Sequence, residues 1–581
     1  MAAKDPAPSD FINYPTPKAH DIPYQAHKDA KNPALNGLLL HYLSYVFLAL
    51  RFLHSFFWTN AGFGVLRTLK ELDHVEARYD PTVIPTPKLA DEPIASYSSV
   101  AARRVLAKAT KSGFHTVADF HELYKSGKIT PTDVAEALLP LIRRDVKDRS
   151  VYSTAFVDSK IALVKKAAEA STQRYNEGKP LGILDGVPFA VKDEIDIKSY
   201  KRFVGTTHDF TRGKEVETGW CIKKLEDEGC VMLGKLNMHE IGMDTTNNNP
   251  HWGTPLNPYC NSYYTGGSSG GAASAVSSGI IPFAIGSDGG GSIRIPSNYC
   301  GIFGLKPSHN RVSIAPLMQC ANTTVVQGPL AANMVDLETS YRVLAQPDPS
   351  HHIKVLGIYK PWFDRADPEV KVACQSALDY FVSKLGYQVV DITLPLIHEG
   401  QLAHAMSIMS EAVTAQTDIS YLTAPNKVLL KVGAQATARD FLLAQRLRNM
   451  LMEHLAHLFT TYPGLIIVTP TTPNAGWQIK SGDLTHGLMD GNTQIRNMEY
   501  IWLANFTGIP CIQFPVGYVD AKKGEGKIPI GLSGNGQWGS EDALIEFGYD
   551  GEAWLNEGLE GGRAMPGSWV DVLDKVKGFS E

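Results

Sequence analysis

No stretch of five or six like charges occurs in the chain, and 55 Lys plus Arg nearly balance 60 Asp plus Glu, leaving a formal net charge of -5. That excludes the basic stripe of a nucleic-acid binder. Cysteine is sparse: Cys221, Cys230, Cys260, Cys300, Cys320, Cys374 and Cys511 form no CxxC pair and no His spacing suited to zinc. An odd number of scattered thiols fits a reducing compartment and offers neither a disulfide framework nor a metal site. The N-terminus stays polar for about thirty residues and lacks the basic-then-apolar pattern of a secretory signal, so the expected location is intracellular. No complete phosphate-loop or dinucleotide fingerprint is present, and no cofactor is expected.

What is there is enough for a large core. The 581 residues are 44% hydrophobic, with no internal repeat. From Leu38 to Trp58 the run LLLHYLSYVFLALRFLHSFFW has roughly the length of a membrane span, yet carries His41, Arg51 and His54 inside it. Dense aromatics at its end, continued by Phe63 and Leu66, favour helices lying in a membrane surface. A packed core or dimer-contact helix and a true span stay open. The proline-rich Tyr79 to Pro93 segment reads as an extended linker. The expected organisation is an N-terminal extension over residues 1–95 and one domain over 96–581.

In that domain the pattern is mixed α/β. Thr130-Pro131 opens an apolar-periodic helix through Leu141, and Ile161, Val164, Ala168 and Tyr175 share the face of another that stops at Gly178. Short apolar runs at Val187 to Val191, Cys230 to Leu233, Pro282 to Gly286 and Leu465 to Thr469 alternate with helices. Such alternation predicts an α/β fold with a central, largely buried sheet and helices on both faces.

Two glycine-rich turns carry the chemistry. Thr265-Gly-Gly-Ser-Ser-Gly-Gly holds Ser268, and Asp288-Gly-Gly-Gly-Ser-Ile-Arg holds Ser292, while Lys192 ends the Val187 run. Glycines let backbone N–H groups approach a reacting atom without a side chain in the way, as an oxyanion site requires. A serine hydroxyl needs a base, and a half-buried lysine amine can serve. Ser292 is the candidate nucleophile. Beside Asp193 and Glu194, Lys192 also reads as an ordinary surface ion pair. Gly266-Gly-Ser268-Ser-Gly270 matches the nucleophile elbow formally, but a polar loop precedes it where the elbow needs an apolar strand. His239 and the other histidines offer no Ser-His-Asp arrangement.

Together, Pro-Phe-Ala-Val-Lys192-Asp, Gly-Gly-Ser268-Ser-Gly-Gly and Asp-Gly-Gly-Gly-Ser292-Ile-Arg resemble, in order and spacing, the amidase signature family. The resemblance runs from about Thr116 to Ser533, through Cys300-Gly-Ile-Phe-Gly-Leu-Lys-Pro and Val468-Thr-Pro-Thr-Thr-Pro473. His239-Glu-Ile-Gly-Met-Asp-Thr-Thr-Asn-Asn-Asn and Thr265-Gly-Gly-Ser-Ser look most like the plant-type fatty acid amide hydrolase subgroup, as do Leu35-Asn-Gly-Leu and Thr82-Val-Ile-Pro. Thr265 departs from the proline common at that position in the wider family.

The resemblance implies an amidase-signature fold with a large mixed sheet, and a serine amidase acting on N-acyl amides such as N-acylethanolamines. It makes Ser292 the nucleophile, Ser268 the bridging hydroxyl after a cis peptide at Gly267-Ser268, and Lys192 the terminal base. The N–H groups of Gly289, Gly290, Gly291 and Ser292 would form the oxyanion hole. Asp288 and Arg294 would brace the loop as an ion pair or helix cap, and Ser269 would hydrogen-bond it. The implied partners are a lipid-like amide, a membrane surface met through residues 35–70, and a second copy of the chain. Short amides or carbamates, and membership of an amidotransferase complex, are the competing readings.

Overall fold

A computed structural model describes residues 8–27, 31–86, 113–317, 320–345 and 353–577. Residues 87–93 of the expected linker, and the expected boundary at residues 95 and 96, lie outside these. The apolar runs become strands, and eleven of them join into one mixed sheet. In chain order these are β1 (Phe156–Asp158), β2 (Pro188–Lys192), β3 (Val231–Leu236), β4 (Phe283–Asp288), β5 (Phe303–Lys306), β6 (Val326–Ala331), β7 (Val355–Ile358), β8 (Gln388–Asp391), β9 (Leu465–Pro470), β10 (Cys511–Asp520) and β11 (Lys527–Asn535). Their order across the sheet is β8-β7-β9-β11-β10-β5-β6-β4-β2-β3-β1.

β2 pairs in parallel with β3 and β4, and β7 does so with β8 and β9. The other pairings are antiparallel. β2, β3, β4 and β9 are buried along their whole length, so they read in the sequence as continuous apolar runs with no polar alternation. The strands expected at Val187 to Val191 and Pro282 to Gly286 run further, to Lys192 and Asp288. The expected helix-covered α/β sheet is therefore present, and Lys192 and Asp288 sit at strand ends while Ser268 and Ser292 lie in turns.

The Leu38 to Trp58 run folds as two helices, α1 (Gly37–Ala49) and α2 (Arg51–Asn60), meeting at Leu50 with a bend of 107°. No single described helix is long and apolar enough to cross a membrane. The helices expected from Pro131 and Ile161 are α3 (Pro131–Ile142) and α4 (Ile161–Asn176). Thr130 accepts from the Asp133 N–H while Asp133 accepts from the Thr130 N–H, and Pro131 takes the first helical position. Further on lie α5 (Gly270–Ser277), α6 (Ile397–Ala415), α7 (Ala424–Gly433) and α8 (Ala438–Thr461).

Residues 35–68 pack into the rest of the chain. Leu35 and Asn36 pair with Met489 and Leu488, and α1 packs on α7. The turn Phe63–Thr68 lies on α6 and α8, where Leu66 is fully buried. Arg67 grips Asp440 in a bidentate pair at 2.6 and 2.7 Å. α1 buries Gly37, Leu40, Ser44 and Phe47 on one face. Its other face exposes Leu38, Leu39, Tyr42 and Tyr45, and α2 exposes Phe52 at 67% and Phe56. Exposed Arg51 and Ser55 stand among these apolar side chains. Leu66→Ala should lower stability by about 2–5 kcal/mol. Urea denaturation followed separately by a probe in the extension and one in the sheet should show both transitions moving together.

Candidate active site

Lys192 is the last residue of β2, and its parallel neighbour β4 runs in register with it, Val191 opposite Ile285. The two strands therefore end side by side and bring Lys192 next to Ser287. Such carboxyl ends of parallel strands are where open α/β sheets place their ligands. Lys192 is 1% exposed. Its Nζ donates to Ser268 Oγ at 2.7 Å and to Ser287 Oγ at 2.8 Å, and lies 3.2 Å from Glu194 Oε1. The Ser287 hydroxyl donates in turn to Glu194. Lys192 and Glu194 do form an ion pair, but a largely buried one and not a surface pair. A tight turn after β2 folds Glu194 back on it, while Asp193 faces inward to Lys235 at 3.6 Å and accepts the Gly205 N–H at 3.1 Å.

Ser268 is placed by the turn that leads into α5. The Gly267-Ser268 peptide is cis. A Cβ on Gly267 would lie 2.7 Å from the backbone nitrogen of Asn247, so only glycine lets the two chain segments approach this closely. Asn247 Oδ1 accepts the Gly270 N–H at 3.0 Å, and the Ser268 carbonyl accepts from His239 N at 3.0 Å. Ser269 donates its N–H to the Ser292 carbonyl at 3.2 Å and its hydroxyl to the Ser287 carbonyl at 3.3 Å, tying the two glycine-rich turns together. Ser268 and Ser292 line one cavity. No hydrogen bond joins their hydroxyls among the described residues, and contacts of this kind commonly tighten only in the substrate complex.

The Ser292 loop is held from below. The Asp288 carboxylate accepts from Gly291 N at 2.7 Å and Ile293 N at 3.1 Å, and from Arg294 Nε and Nη2 at 3.0 Å each. Asn505 adds a bond to the same carboxylate at 3.0 Å and accepts from Arg294 Nη2 at 2.6 Å. Burial alone would raise the Asp288 carboxyl, but the Arg294 charge and this set of donors hold it well below the usual carboxylate range. Asp288 and Arg294 thus form a fully buried ion pair under the loop. Gly291 has φ +99°, a left-handed conformation that suits glycine. Its N–H is given to Asp288, a departure from the four-amide oxyanion hole expected. Gly289, Gly290 and Ser292 line the cavity.

That cavity measures about 380 Å³, within the range of small-molecule sites. Lys192, Ser268 and Ser292 all line it. Phe47, Phe57 and Phe63 of the extension, with Leu402, Ile408 and Met409 of α6, supply apolar wall. No cluster of metal-ligating side chains is found among the described residues, and the seven cysteines are free.

Sequence reasoning missed Ser287, Asn505 and His404, and read Glu194 only as a surface partner of Lys192. Ser287 had a signal, since it immediately precedes Asp288 at a strand end. Glu194 reaches Lys192 only through the turn, and Asn505 and His404 come from segments with no motif.

The amidase family model matches residues 147–545. A fatty acid amide hydrolase of Medicago truncatula is 33% identical over 487 residues, covering 79% of this chain and 78% of that protein. A component of the glutamyl-tRNA(Gln) amidotransferase of Archaeoglobus fulgidus is 26% identical over 473 residues, with 74% and 97% covered. An amidase crystal structure shares the fold, with a TM-score of 0.66 at 24% identity over 76% of this chain and 99% of that one.

Removing the guanidinium under the loop should leave a buried carboxylate unpaired. Arg294→Met is expected to cost roughly 3–5 kcal/mol of stability at neutral pH. In the native chain Asp288 is held below its ordinary value, so its contribution is present above about pH 4 and is lost only as the pH falls through the depressed value. In the variant the orphaned carboxyl can take a proton, so the penalty should shrink as denaturation is repeated toward pH 4. A penalty unchanged with pH would contradict the ion-pair account.

Proposed function

The chain belongs to the amidase signature family and is an amide-hydrolysing enzyme, and on that premise we propose that it cleaves N-acyl amides of long apolar acids through an acyl-enzyme on Ser292. The observation that carries the substrate class is the cavity wall, where Phe47, Phe57 and Phe63 of the extension stand in the same cavity as the two serines and the lysine. An apolar acyl chain gains by leaving water there. The name of the Medicago truncatula relative points to the same class.

In this reading Lys192 works in its neutral form, its Nζ lone pair turned to the Ser268 hydroxyl, and Ser292 Oγ attacks the substrate carbonyl carbon as its proton passes to Ser268 Oγ and the Ser268 proton passes to the amine. The tetrahedral oxyanion is met by the N–H groups of Gly289, Gly290 and Ser292. As the intermediate collapses, the C–N bond breaks and the proton returns through Ser268 to the leaving nitrogen. Water then attacks the acyl ester by the same relay and releases the acid. Ser287 and Glu194 keep the lysine amine pointed at Ser268.

The exposed apolar face of α1 and α2 supports peripheral association with an internal membrane, from which such a substrate would be drawn. A homodimer is the companion proposal, carried by the family resemblance.

Fatty-acid release from N-acylethanolamines of increasing chain length, with wild type and Ser292→Ala side by side, tests the reaction. Turnover should rise with chain length and fall by at least about 10³-fold in the variant. A rate that peaks at short acyl groups would replace the substrate class, and full activity in Ser292→Ala would remove the mechanism. For the membrane face, the Phe52→Ser, Phe56→Ser double variant should lose most of its co-sedimentation with phospholipid vesicles while keeping its rate on a short soluble amide. Undiminished co-sedimentation would refute the assignment of that face.

A further inference from the structure

His404 stands on α6 among the residues that wall the cavity, yet the relay described above does not use it. The side chain is buried, and its Nε2 lies 2.8 Å from the carbonyl oxygen of Gly289. A carbonyl oxygen can only accept, so the proton sits on Nε2. Nδ1 has no hydrogen-bond partner among the described residues. Burial, helped by the nearby Arg448 and Arg294 charges and opposed by the bond to Gly289, pushes the imidazole down to about 4. It is therefore neutral at working pH, with one fixed donor.

The Gly289 C=O and the Gly290 N–H belong to one planar trans peptide, so they point in opposite directions. A donor that holds the carbonyl from one side aims the amide at the other. The ring is packed on this peptide: a Cβ on Gly290 would lie 3.2 Å from His404 Cε1. Gly289 is hemmed in as well, since a Cβ there would lie 2.6 Å from Val325 and 3.2 Å from Ile408. The next amide in the loop, that of Gly291, is already given to Asp288. The Gly290 amide is thus fixed by its neighbours on either side.

We propose that His404 is a positioning residue of the oxyanion site, its Nε2–H holding the Gly289 carbonyl so that the Gly290 N–H meets the substrate oxygen as charge develops on it. This rests on the serine hydrolase reading above. It assigns to α6 a part in transition-state stabilisation that no motif in the sequence announces.

The test compares two variants of similar volume. His404→Gln keeps an amide donor within reach of Gly289, and His404→Met does not. Three quantities are read: kcat, KM, and the affinity for a long-chain alkyl trifluoromethyl ketone, which takes up the tetrahedral oxyanion form on the nucleophilic serine. His404→Met should lower kcat by roughly 10- to 100-fold with KM within about threefold, and weaken the ketone by the same factor as kcat/KM. His404→Gln should recover most of both. Should the Met variant fail to fold, His404→Asn, whose shorter amide cannot span the gap, takes its place beside His404→Gln. Equal behaviour of donor and non-donor variants, or a lowered rate with undiminished ketone affinity, would overturn the proposal. Ser292→Ala is run alongside. If it is inactive while His404→Met is fully active, only the role of His404 falls; if it retains turnover, the hydrolase reading falls and this role with it.

Discussion

A lysine amine removed from water must find a partner for each of its hydrogens and, when neutral, for its lone pair as well, and the site is organised around how Lys192 does so. Ser268, Ser287 and Glu194 surround its Nζ, each from a different segment: the turn before α5, the end of β4, and the turn after β2. Misplacing any one of the three segments would leave a buried polar group unsatisfied, a cost comparable to a large fraction of a domain's stability. The demand for partners therefore also fixes the geometry of the chemistry. The parallel pairing of β2 with β4 brings two of the segments together, and the bond from Ser269 N to the Ser292 carbonyl locks the third.

A second buried charge does similar work one layer below. Asp288 gathers three backbone amides, a guanidinium and the Asn505 amide, and so sets the shape of the glycine loop from outside the cavity wall. Three glycines in a row would otherwise be the least determined backbone in the chain. Their freedom is used up by neighbours: Asp288 takes Gly291, His404 takes Gly289, and Val325 with Ile408 closes around the latter.

Much of this was legible in the residues. The alternation of apolar runs with helical periodicity carries the α/β sheet, and the Thr130-Pro131 pair marks a helix start to the residue. Lys192, Ser268 and Ser292 could be singled out because glycine-rich turns and a strand-ending lysine have few other uses in combination. Lys192 looked exposed in the sequence because Asp193 and Glu194 follow it, whereas strand pairing buries it. The resemblance implies the Gly291 amide for the oxyanion site, whereas in the structure the carboxylate three residues earlier accepts it. His404 and Asn505 lie more than a hundred residues from the turns they hold, and contacts of that range leave no local pattern to read.

The bend between α1 and α2 has two sides. Its inner residues Phe47 and Phe57 stand in the cavity, while Phe52 and Phe56, within a few residues of them, face outward. Apolar side chains of this one bent segment thus form a layer with the outside on one side and, on the other, the cavity that Ser268 and Ser292 also line. A substrate dissolved in a lipid film could cross that layer without its chain meeting water, and the concentration that governs the rate would then be its mole fraction in the film. Diluting the film with inert lipid would slow such an enzyme, even with the total amount of substrate in the tube unchanged.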